Sequence, residues 1–331
     1  MNQDLLVRLF RSIDGEQTDD IVMVAESIID SERQKGHAKL ADKLKGILSR
    51  NLKANQSFKG ELRNIFGNSV LIPTDKRSNI PLAIQVPAEQ LRHEMILSDK
   101  VEDKIVRIEK EFLARERLAH YGLKPRRRIL FHGHPGCGKS MSAERIAWNI
   151  GLPFLKVKFE AVVSSYLGES ATNLTKLFDA IKTFPCVLLL DEFDFIAKSR
   201  AEKQDVGEMH RVVNILLNVL EDFDGPGLLI ATTNLEGTLD KALFRRFDDI
   251  IEIPKPGDTE IKQILKTTLS SIKYEKINWD ALARQLVDFS SAMVVKVATD
   301  AAKFSVIQGN GVVSQKDFDQ ALKENQLYHK D

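Results

Sequence analysis

The eight residues Gly133-His134-Pro135-Gly136-Cys137-Gly138-Lys139-Ser140 constrain this chain more than any other stretch of it. They match G-x4-G-K-[ST] and stand between the apolar run RRILFH and the helical stretch SAERIAWNI. That is the strand–loop–helix context the pattern requires. Gly133, Gly136 and Gly138 let the backbone curl closely round an anion with its N–H groups pointing inward, and the helix N-terminus adds partial positive charge. Lys139 is placed to reach the β- and γ-phosphates of a nucleotide, and the Ser140 hydroxyl to ligate Mg2+. His134, Pro135, Cys137 and Met141 complete the expected nucleotide contacts. His132 and His134 flank Gly133, but no cysteine or carboxylate cluster joins them, so a metal site built on the histidines is not the expectation.

A second signal, CVLLLDEFD, follows about fifty residues later. A buried strand ending in two carboxylates delivers Asp191 to hold the metal and Glu192 to orient and deprotonate a water. Around these two motifs, short apolar runs alternate with helical stretches: RRILFH, LPFLKVK, CVLLLDEFD, GLLIATTN and DIIEIP. Alternation of this kind indicates an α/β fold with a parallel, doubly wound sheet. An amphipathic helix carrying Ile105, Ile108 and Phe112 precedes them and runs toward Gly122 and Pro125. After Pro254 and Pro256 the strands nearly stop. Stripes at Ile261, Ile264 and Leu265, at Leu282, Leu286 and Phe289, and at Val294, Val297 and Ala301 describe a small helical domain. Ser314 to Asp317 reads as a capping box opening the last helix.

Toward the amino terminus, three apolar stripes over 1–50 read as short helices, and 51–90, with Pro73, Pro81 and Pro87, as a linker with some extended structure. The expected organisation is therefore an N-terminal helical segment (1–50) for partner or substrate docking, a linker (51–90), a large α/β domain (91–254) and a small helical domain (255–331). Basic and acidic residues number 48 and 47, a net charge of +1, so no global pull toward nucleic acid or anionic lipid is expected. Arg126–Arg128 reads as a solvated or subunit-facing edge rather than a nucleic-acid contact. Two cysteines, Cys137 and Cys186, make no disulfide framework and point to a reducing cytoplasm. Arg8 and Arg11 break the first apolar run, which excludes a signal peptide, and no window approaches the ~18 apolar residues of a membrane span.

Together the two motifs give a chain that resembles the AAA branch of the AAA+ ATPases over residues 91–331. The resemblance implies a sheet ordered 5-1-4-3-2, a helical lid, ATP and Mg2+ as cofactors, and a homo-oligomer, usually a hexameric ring. ATTN at 231–234 resembles the sensor-1 strand, which makes Asn234 the residue that polarises the attacking water. LDKALFRRFDD resembles the trans-acting arginine segment, with Arg245 and Arg246 as fingers reaching the γ-phosphate of the next subunit, worth ~10³-fold or more. SSYLGES resembles the first pore loop, whose Tyr166 and Leu167 would grip an extended polypeptide without reading its sequence, with Gly168 allowing the turn. The second pore loop is expected near 201–210. Ile96 and Leu97, where the family usually has glycine, are the expected adenine contacts. Ser291-Ala292 replaces the family's Gly-Ala pair, and a sensor-2 arginine is absent.

A single module of this kind with a short helical prefix resembles bacterial accessory ATPases, some of which act beside a separately encoded protease. The leading expectation is ATP-driven remodelling or threading of a protein through a ring. The alternatives are a switch that regulates a separate protease or effector, and a nucleic-acid-directed ATPase, which the near-neutral charge disfavours.

Overall fold

The computed structural model describes residues 72–75, 79–162, 169–193, 215–234, 244–307 and 311–326, together with Lys45. Two compact units divide the chain, Met1–Ser69 and Val70–Asp331. Within the first, Lys45 is helical; the helices expected over 1–50 otherwise lie outside the described residues, as do Tyr166, Leu167 and Gly168 of the first pore-loop segment and all of 201–210.

Among the described residues of the second unit, a six-stranded sheet takes up β1 (Ala83–Val86), β2 (Arg128–His132), β3 (Phe154–Val157), β4 (Val187–Leu190), β5 (Leu228–Thr233) and β6 (Asp249–Glu252) in the order β1-β3-β4-β5-β2-β6. Only the β1–β3 pairing is antiparallel. With β1 set aside, the five parallel strands numbered along the chain run 5-1-4-3-2, the order the resemblance implies. The runs VLLL and LLIATT are buried at every position, as expected of parallel strands covered on both faces.

β1 falls inside the stretch 51–90. Pro81 and Pro87 bracket it, which suits an edge strand, where a missing donor breaks no ladder. Two further contacts hold the segment around it. The Leu82 N–H donates to the Pro73 carbonyl at 2.9 Å, and buried Asp75 accepts from Asn173 Nδ2 at 3.0 Å.

Helix α1 (Asp99–Leu113) buries Val101, Ile105, Ile108 and Phe112. It stops short of Gly122: the backbone leaves helical geometry at Ala114, and the short α2 (Arg115–His120) buries nothing. Beyond Phe112 the sequence offers no apolar face to hold the helix against the sheet. α1 packs with α3 (Lys139–Ile150) on one side of the sheet. After the short α4 (Phe159–Val162), helix α5 (Glu169–Ile181) covers the other side, setting Leu174, Leu177 and Phe178 against Leu155, Leu188 and Leu229. The basic run before β2 is neutralised within the fold. Arg126 pairs with Glu111 and, at 3.3 Å, with Asp249; Arg127 pairs with Asp224 at 3.1 Å; Arg128 pairs with Asp248 at 2.7 Å.

The C-terminal part is helical: α6 (Asp258–Thr268), α7 (Trp279–Gln285), α8 (Ser291–Ile307) and α9 (Gln315–Gln326) close round Ile261, Leu265, Leu282, Val297 and Phe318. A two-residue parallel pair, β7 (Lys273–Tyr274) with β8 (Val312–Val313), ties it together. At the start of α9 the Ser314 N–H and hydroxyl both donate to Asp317 Oδ2, at 2.8 and 2.7 Å, so the acidic half of the capping box forms, with the Ser314 hydroxyl donating to the carboxylate instead of accepting a backbone N–H.

Candidate active site

The C-terminal ends of β2, β4 and β5 face a cavity of about 840 Å³. This is the side of a parallel sheet on which ligands bind, where the strand order reverses about β2. β2 enters the loop through Gly133, whose φ is 132° and where a Cβ would stand 2.3 Å from the Ile253 carbonyl oxygen. Glycine is therefore required for the loop to turn beside the chain leaving β6. Residues Pro135 to Met141 line the cavity. Gly133 and His134 stand behind them and accept, through their carbonyls, two 2.8 Å hydrogen bonds from the buried Lys139 ammonium. Cys137 is buried, its Sγ 4.0 Å from the Pro135 carbonyl oxygen.

Asp191 is the hub. Its Oδ1 accepts from the Ser140 and Thr232 hydroxyls, each at 2.6 Å, and its Oδ2 accepts from Lys156 Nζ at 2.6 Å. Burial alone would push this carboxyl up; the bonds from Lys156, Ser140 and Thr232 and the charge of Lys156 outweigh it and hold the group below the ordinary carboxylate range. It is ionised, as a cation ligand must be. Glu192 follows it, exposed, with a φ of 54°. A left-handed backbone at a non-glycine residue costs of order 1–3 kcal/mol and persists only where its surroundings enforce it. Here the Glu192 N–H donates to Thr232 Oγ1 at 3.0 Å, and the Phe193 N–H to the Thr232 carbonyl at 2.8 Å. Asn234, at the end of β5, lines the same cavity.

Two further walls complete it. Arg92, Glu94, Met95 and Ile96 form one. The segment is clamped to α3: the Arg92 N–H and Nε both donate to Glu144 Oε2 at 2.9 Å, and His93 stacks on Trp148 with ring centroids 4.3 Å apart. Leu97, expected beside Ile96, lines a separate cavity of about 420 Å³ instead. The other wall comes from α6 and α8, through Ile264, Thr268, Ala292 and Val295. The Ala292 N–H donates to the Gly136 carbonyl at 2.9 Å, joining the helical part to the loop.

The remaining expected residues divide. Arg245 and Arg246 are not among the residues lining the cavity. Arg246 is engaged within the chain, by an ion pair to Glu221 at 3.2 Å and a hydrogen bond to the Leu217 carbonyl. Arg245 is exposed. Tyr166, Leu167 and Gly168 lie outside the described residues. Sequence reasoning missed Thr232, Lys156 and Arg92. The first stands two positions before Asn234 in ATTN, and the second is a lone charge inside an apolar strand run.

Residues 129–255 match the model of the ATPase family associated with various cellular activities (AAA). An uncharacterised AAA family ATPase of Sinorhizobium fredii is 34% identical over 323 residues, covering 97% of this chain and 94% of that protein. The chain belongs to the AAA family of ATPases. This AAA ATPase is also similar to 26S proteasome regulatory subunit S10B homolog B of Arabidopsis thaliana, 33% identical over 69% of this chain. Proteasome-activating nucleotidase 2 of Haloferax volcanii is 30% identical over 75% of it. The matches span 59% and 62% of those two proteins. Membership makes the chain an enzyme that hydrolyses ATP with Mg2+. The residues present fit that pair: the cavity is large enough, the loop admits no side chain at Gly133, and an ionised carboxylate is joined to a serine hydroxyl.

Proposed function

We propose that this AAA ATPase couples ATP hydrolysis to the remodelling or threading of a protein through the pore of a ring of its own copies, hexameric and cytoplasmic. The observation that carries the hydrolytic half is the 2.6 Å bond from Ser140 to Asp191, with Glu192 exposed beside it on the cavity wall. Ser140 and Asp191 would hold Mg2+, which would supply positive charge at the phosphate oxygens. Lys139 exchanges its bonds to the Gly133 and His134 carbonyls for phosphate oxygens. Glu192 orients a water and takes its proton, and Asn234 polarises the same water. Ile96 and Ile264, which both line the cavity, are apolar contacts for the base. The domain assignment follows: 91–254 carries the chemistry, 255–331 serves as the lid, and 1–50 docks a partner or substrate.

Arg245 supplies the finger from a neighbouring copy, while Arg246 anchors the segment through Glu221. The reason is electrostatic: a guanidinium already paired within its own chain has less to give a phosphate across an interface. Support for a protein substrate comes from the 30–33% identity to proteasomal ATPases, together with the SSYLGES segment. A separately encoded protease is the partner class this suggests.

The test is a trap. Glu192→Gln should bind ATP without hydrolysing it, and the protein retained with ATP from a lysate identifies the substrate. Tyr166→Ala in the same background should lose it. Capture of nucleic acid, or of a partner held equally well without Tyr166, would overturn threading.

A further inference from the structure

Thr232 has no role in the reading above, yet it touches both residues that do, Asp191 through its carboxylate and Glu192 through its backbone N–H. It is buried, with 1% of its surface exposed, in the fully buried strand β5. Its hydroxyl gives its one proton to Asp191 Oδ1 at 2.6 Å and accepts the Glu192 N–H at 3.0 Å. One hydroxyl cannot donate twice, so the two bonds fix its rotor and form a directed chain: Glu192 N–H to Thr232, Thr232 to Asp191. Ser140 donates to the same Asp191 oxygen from the loop side. The charge on Asp191 polarises the Thr232 O–H and so strengthens its acceptance of the Glu192 N–H. That N–H belongs to the residue whose backbone is held at a φ of 54°.

We propose that Thr232 is a positioning residue for hydrolysis, joining the metal-side carboxylate to the backbone turn that aims Glu192 at the water. Resting on the assignment of Glu192 as base, it goes further by naming what holds that base in place. The hydroxyl sets the Asp191 oxygen on one side and the Glu192 turn on the other, so a shift of either is felt by both. Valine at this position keeps the shape but leaves the Glu192 N–H and one Asp191 lone pair without their partner. Because the group touches Asp191 and Glu192 but not phosphate, its loss falls on turnover far more than on nucleotide binding.

The experiment compares Thr232→Val, Thr232→Ser and Thr232→Ala in the full chain. Turnover and KM for Mg-ATP are measured, with equilibrium binding of a fluorescent ATP analogue in the Glu192→Gln background. Expected for Thr232→Val is a fall in kcat of about 30-fold, with KM and analogue binding within about threefold, and recovery of most of the rate in Thr232→Ser. Should valine unfold the strand, as a melting scan would reveal, the Ser and Ala variants decide. They differ only in the hydroxyl, and Ser must exceed Ala by about tenfold or more in kcat. A kcat for Thr232→Val within about threefold of the unsubstituted chain, Ser no better than Ala, or analogue binding that falls in step with kcat would each overturn the proposal. Separately, hydrolysis that survives Glu192→Gln would overturn the assignment of the base itself.

Discussion

Cys137 and Cys186 show how the same residue type takes two chemistries from its surroundings. Burial pushes the Cys186 thiol up to about 12, so at neutral pH almost none of it is the reactive thiolate. Cys137 is equally buried in bulk terms but lines the nucleotide cavity, and the cavity is its route to a reagent. A thiol reagent applied to the folded protein should therefore modify Cys137 slowly, Mg-ATP should suppress that reaction, and Cys186 should react only after unfolding. Mass mapping of the alkylated peptides checks this, and prompt labelling of Cys186 would contradict the burial argument. The loop residues and the Asp191-Glu192 pair were legible in the sequence because their chemistry demands fixed types at fixed spacing. Thr232 and Lys156 were not, since their contacts with Asp191 depend on strand adjacency, which no local spacing encodes.

The edge of the sheet is where elements depend most on single ion pairs. Asp248, just before β6, accepts from the Arg127 and Arg128 N–H groups at 2.9 Å and from the Arg128 guanidinium at 2.7 Å, pinning the start of β2 to its neighbour. Burial raises its carboxyl, and these bonds more than offset that rise, leaving it below the ordinary range. A depressed carboxyl contributes stability that is complete above the unfolded value of about 3.9 and is lost as pH falls through the folded one. Asp248→Asn should therefore lower the melting temperature at neutral pH, with a gap to the unsubstituted chain that closes only below about pH 4. A gap independent of pH would show that packing rather than charge is at stake. Sequence periodicity located the five parallel strands because each is an apolar run of its own. It left β1 within a linker because four residues between two prolines carry no period, and it overran α1 because charged residues after Phe112 continue a helical composition without an apolar face.

On the scale of the whole molecule, the chain holds Glu192 and Asn234, the residues proposed to act on water, on its cavity wall and Arg245 off that wall, so each site of the proposed ring would draw on two copies. Glu192→Gln and Arg245→Ala should each be inactive alone, yet a mixture of the two should recover part of the ATPase activity. At some interfaces an intact Glu192 then meets an intact Arg245. Failure to recover, with mixed assemblies demonstrated, would place the arginine elsewhere. Arg246→Ala should cost less in rate, because its partners are in its own chain. The bond from the Ala292 N–H to the Gly136 carbonyl joins the phosphate loop to the first turn of α8. With 17 residues, that helix is a rod about 25 Å long at 1.5 Å per residue. Pivoting it at the loop by about 5° sweeps its far end through about 2 Å. The loop is thus the fulcrum of a lever, and α8 its long arm.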